Sequence, residues 1–83
     1  MLTVEKAREI SDIAATPIVE KEMKKISKAI EKSAKQGSYA IKYECKYSYS
    51  IRRMVATKCQ AFGYSTYVDN FYPIIKIFWK KEE

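Results

Sequence analysis

Along the first part of the chain the apolar residues Val4, Ala7, Ile10, Ile13 and Ala14 recur at three- and four-residue intervals, the period of one helix face. With Thr3 standing where an N-cap belongs, the spacing predicts a helix over about residues 3–14. Thr16-Pro17 should then reset the chain, because proline cannot continue a helix interior but suits the first position after a threonine cap. A second helix is expected from Pro17 to about Gln36. Its apolar stripe is Val19, Met23, Ile26, Ile30 and Ser33 or Ala34, against a lysine-rich back. Ile18 lies off that stripe, placed to meet the first helix. The only two glycines, Gly37 and Gly63, each follow a helical pattern where a left-handed C-terminal cap is wanted.

From Ser38 to Cys45 the period changes to two: Tyr39, Ile41, Tyr43 and Cys45 fall on one side, Ala40, Lys42 and Glu44 on the other, as in a half-buried strand. Ser48 or Ser50 caps a further helix with Ile51, Met54, Val55, Cys59 and Phe62 on one face, leaving Arg52, Arg53 and Lys58 to solvent. Residues 64–69 and 74–79 read as strands. Asp69-Asn70-Phe71-Tyr72-Pro73 has turn chemistry and joins them in a hairpin. The chain is therefore expected to be one domain over residues 1–83, a helical front (1–36) followed by a β-α-β-β unit (38–80). Its fold class is α+β, in the order α-α-β-α-β-β, with a three-stranded mixed or antiparallel sheet and helices packed on one face. The last strand belongs in the middle, beside the first strand and antiparallel to its hairpin partner. The expected core is Tyr39, Ile41, Tyr43, Met54, Val55, Cys59, Phe62, Ile75, Ile77 and Trp79. That set is small enough to need support from the helical front or from a partner.

Composition sharpens the division at Gly37, since all eleven aromatic residues lie downstream of it. Charge divides there too. Residues 1–37 hold eight basic and six acidic side chains, a net of +2, whereas residues 38–81 hold eight basic and two acidic, a net of +6. A positive half-chain favours acidic partners, although lysines on the mixed helix over 21–35 are ordinary solubilising groups. The chain contains no histidine, so the commonest general base and metal ligand are both missing. Cys45 and Cys59 are too few for a disulfide framework or a zinc site. They read as reduced, buried thiols, with a mutual disulfide as the alternative. Two glycines at helix ends leave none for a phosphate-cradling loop, and paired carboxylates for acid–base work are absent. Glu44 is expected to pair with Lys76 across the sheet. No catalytic residue, cofactor, metal or small-molecule substrate is expected, and the chain reads as a non-enzyme.

No run approaches the roughly 18 apolar residues of a membrane span. The first residues lack a basic stretch followed by an apolar one, so secretion by signal peptide is not expected. Two surfaces are candidates for function. The outward sheet face should show Tyr67, Ile74, Lys76 and Phe78, more apolar than a free face usually is. Either the first helix covers it, or another protein or a second copy of this chain meets it. The second surface is Lys46, Tyr47 and Tyr49 with Arg52 and Arg53, where tyrosines interleaved with cations suit nucleic acid or an acidic protein. It carries no recognised nucleic-acid motif.

The helix ending in Gly37, Tyr39-Ala40-Ile41-Lys42-Tyr43, the short helix into Phe62-Gly63-Tyr64 and Ile75-Lys76-Ile77-Phe78-Trp79 together resemble small accessory proteins encoded by tailed bacteriophages, over about residues 23–80. The resemblance implies a minor virion component, of capsid or tail, or an inhibitor of a host protein, acting by binding in the host cytoplasm or within the virion. It brings no functional residues with it. Phe78, where such patterns often place a small polar residue, would then mark a face hidden in an assembly.

Overall fold

The computed structural model describes residues 1–80. A single helix, α1 (Val4–Lys35), comes first, followed by β1 (Ala40–Glu44), α2 (Tyr49–Ala61), β2 (Ser65–Val68) and β3 (Ile74–Phe78). The two expected front helices are thus one. Thr3 caps it, its side chain accepting from the Lys6 amide at 3.1 Å, and the helix then runs through Pro17 without a break. Proline leaves the carbonyl four residues back, that of Ile13, without an intrahelical donor. Ile13 is exposed, so water can meet that carbonyl. Beyond it Ala15, Val19, Glu22 and Ile26 pin the helix to the rest of the molecule. At ~1.5 Å rise per residue the helix is about 48 Å long, which explains the 53 Å long axis of a molecule only 22 Å across.

Both helices end alike. The Gly37 amide donates to the Ala34 carbonyl and the Ser38 amide to that of Ser33. Gly63 and Tyr64 repeat the pattern onto Gln60 and Cys59. This paired closure requires a left-handed residue, and the two glycines supply it at φ +86° and +96°.

The sheet order is β1-β3-β2, and both pairings are antiparallel. The last strand is therefore central, as its position between the two alternating patterns implies, while β1 and β2 run in the same direction with α2 connecting them. The inner face carries Ile75 and Ile77 onto Val19 and Ile26 of α1 and Val55, Ala56 and Cys59 of α2, with Cys45 at the end of β1. Met23, Ile30, Ile41, Tyr43, Ile51, Tyr64 and Val68 close the margins. Trp79 meets Tyr64 edge to face at 6.1 Å. Four expected core residues lie outside this set: Trp79 is half-buried, Tyr39 precedes the strand and is exposed, Met54 is exposed at the helix margin, and Phe62, the α2 C-cap, is 75% exposed because the chain is already turning there.

Candidate interaction site

All side chains that alternate outward from the three strands share one face. Phe78 lies between Ala40 and Ser65, Lys76 between Lys42 and Tyr67, and Ile74 opposite Glu44. No element covers them. Helix α1 packs on the opposite side of the sheet, and Tyr67 and Phe78 remain 53% and 39% exposed. Of the two coverings the sequence left open, intramolecular roofing by the first helix is thereby excluded.

The register also corrects the expected Glu44–Lys76 pair. The residue facing Lys76 is Lys42, while Glu44 instead takes Lys46, Oε1 to Nζ 3.4 Å. Two lysines directly opposite each other repel. Lys76 eases this partly by lying over the Tyr67 ring, 5.6 Å from its centroid. Nearby, Asp69 Oδ1 accepts the Phe71 and Tyr72 amides at 2.7 and 3.0 Å. These two bonds hold its carboxyl below the usual range, and Lys76 adds to the effect. The centre of the face is accordingly cationic, with Phe78 at one end and Ile74 beside the Glu44–Lys46 pair at the other.

The second expected surface is only partly assembled. Ser48 caps α2, accepting the Ile51 amide at 3.4 Å. Arg52 folds back so that Nη1 donates to the Tyr47 carbonyl at 2.6 Å and the guanidinium stands 5.7 Å from the Tyr49 ring centroid. It is half-buried, with Nε lacking any hydrogen-bond partner, and so is not the solvated arginine the sequence suggested. Lys46 is paired with Glu44 and the Tyr49 ring with Arg52, which leaves the side chains of Arg53 and Tyr47 as the freely presented members.

Beneath β1 lies a buried polar group that the apolar pattern did not single out. Glu22 is 4% exposed, with Oε2 3.5 Å from Lys25 Nζ. The Tyr43 hydroxyl is pushed up from its ordinary value by burial and then by the Glu22 carboxylate, which also raises the Cys45 thiol. Burial is the leading cause of the upward shift at Cys45 and the cause at Cys59, and both are free thiols in the core. Thiolates are the reactive form, so neither is primed as a nucleophile. Ellman's reagent at pH 8 should accordingly release under a tenth of two equivalents from the native chain and both after denaturation. Fast native release of one equivalent would show an accessible thiolate.

Three exposed apolar groups escaped the sequence reading. The hairpin tip shows Phe71 and Tyr72, which the turn chemistry marked only as a connection. Phe62 stands at the mouth of a half-open groove of about 600 Å³, floored by Met23, Ile26, Ile30 and Cys59. The first three turns of α1 expose Ile10 and Ile13. Among the described residues no helix is long and apolar enough to cross a membrane, and no three His, Cys, Asp or Glu side chains converge as metal ligands. Comparison with known proteins finds no family model, curated sequence or solved structure that matches the chain.

Proposed function

We propose that this protein acts by protein–protein contact through the outer face of its sheet, centred on Tyr67, Ile74, Lys76 and Phe78. The observation that supports this most directly is that Phe78, Tyr67 and Ile74 stand around Lys76 on one sheet face with no element of the chain over it. Aromatic anchors beside cations are the residues that carry binding energy at protein interfaces. The resemblance to phage accessory proteins extends the reading to a virion component or a host-protein inhibitor. Nucleic acid is the competing partner, through Lys46, Tyr47, Tyr49, Arg52 and Arg53. The engagement of Arg52 and Lys46 within the chain weighs against it.

The test is a photo-crosslinking side chain placed at Tyr67 in the cells that make the protein, with the same group at exposed Thr57 on α2 as control. A discrete protein adduct at position 67, absent at 57 and lost on Phe78→Lys, is the expected result. Equal labelling at both positions overturns the reading. So does an adduct confined to nucleic acid.

A further inference from the structure

Resting on that reading, we infer that the occupant of the sheet face is a second copy of this chain, docking the first turns of its own α1. Helix α1 outruns the sheet it packs on, and all of residues 1–14 are exposed. On this arm Val4, Ala7, Arg8, Ser11, Asp12 and Ala15 line a shallow recess with Ser50, Ile51 and Met54 of α2, so this mixed side is the one turned toward the body. Ile10 and Ile13 are turned away, at 49% and 69% exposure. Two isoleucines of the helix thus lie off the side that meets the body. Ile10 and Ile13 are thereby left without an apolar surface in their own chain, and one outside it would bury them.

The sheet face has complementary chemistry. Among the described residues neither Lys42 nor Lys76 has a carboxylate within ion-pair distance, and they face each other across the strands. A matching partner therefore brings a carboxylate to the centre and an apolar group to the Phe78 end. Glu5, Glu9 and Ile13 follow one another at four-residue steps along one side of the arm, Glu9 being shared with Lys6 at 3.6 Å. Glu5 to Ile13 spans about 12 Å of helix, and Ile74 to Phe78 about 13 Å of strand. Exchange of both arms closes a two-fold dimer.

Light scattering from micromolar to millimolar concentration should show mass rising to twice the 9.7 kDa of one chain. Ile13→Glu on the arm and Phe78→Lys on the sheet should each weaken association about 10-fold or more. A mixture of the two variants should regain part of it, because one of the two arm–sheet contacts in the mixed dimer then joins an intact arm to an intact sheet. Lys42→Glu supplies Lys76 with a partner inside the chain and so should raise the melting temperature while weakening association. A merely structural role would not separate these two effects. A wild-type chain that stays monomeric throughout, or folded variants that fail to complement, overturns the inference. If the Tyr67 crosslink then still captures a different protein, the contact reading stands without it; if no protein adduct forms, both fall.

Discussion

Ile77→Ala should destabilise the protein by roughly 2–5 kcal/mol, the range for truncating a large aliphatic side chain in a closed core. Ile77 has no exposed surface and sits on the central strand, between Ile41 and Thr66. Beneath it the core combines Val19 and Ile26 of α1 with Val55, Ala56, Cys45 and Cys59, short or branched side chains with little reach to fill a cavity. A domain of this size has about 5–15 kcal/mol in total, so the loss takes a large share of it. Phe78→Ala, one residue along and facing outward, removes a larger side chain. It should nonetheless change the stability of the dilute, monomeric chain by under about 1 kcal/mol. Urea titrations of both variants check the contrast. An equal loss at the two positions would mean that the outer face is covered within the chain itself.

The contrast between adjacent residues is also why the sheet was legible in the sequence. A period of two assigns every side chain to one of two faces, and neither Pro nor Gly interrupts residues 40–44 or 74–78. The outer set Tyr67, Ile74, Lys76 and Phe78 follows from alternation alone, and the structure keeps all four on one face. What alternation cannot supply is register. Glu44 and Lys76 are both outward, but sliding β1 along β3 decides whether they meet, and the observed pairing sets Lys42 against Lys76. Arg52 was illegible for a related reason. A helical pattern marks it as off the apolar stripe, yet the guanidinium is long enough to reach back to the Tyr47 carbonyl.

Helix α1 separates two kinds of signal. Its buried residues Ala15, Val19, Glu22 and Ile26 keep strict four- and three-residue steps, so geometry alone would have placed Glu22 inside; only its charge argued otherwise. Residue type misled in the opposite direction at Ile10 and Ile13. Their helical spacing is sound, but no part of the chain lies on the side to which they point. A periodic apolar stripe shows that a face is to be buried. It does not say whether the same molecule does the burying.

Pro17→Ala is the sharpest test of how the helical front is built. In a helix interior proline is about 3 kcal/mol less favourable than alanine. Part of this is returned because proline also restricts the unfolded chain, an effect of about 0.4–1 kcal/mol. With α1 continuous through Pro17, the substitution should stabilise by about 2 kcal/mol, a rise in melting temperature on the order of 10 °C for a domain this small. Far-UV circular dichroism should change little, because the segment is already helical. The two-helix arrangement that Thr16-Pro17 suggests in the sequence gives the opposite outcome. There proline occupies a first helical position, where its missing amide has no partner to lose, and alanine would bring no gain. A melting temperature unchanged or lowered by Pro17→Ala would therefore divide α1 at Thr16. The arm carrying Ile10 and Ile13 would then be a separate element, free to fold back onto the sheet face of its own chain.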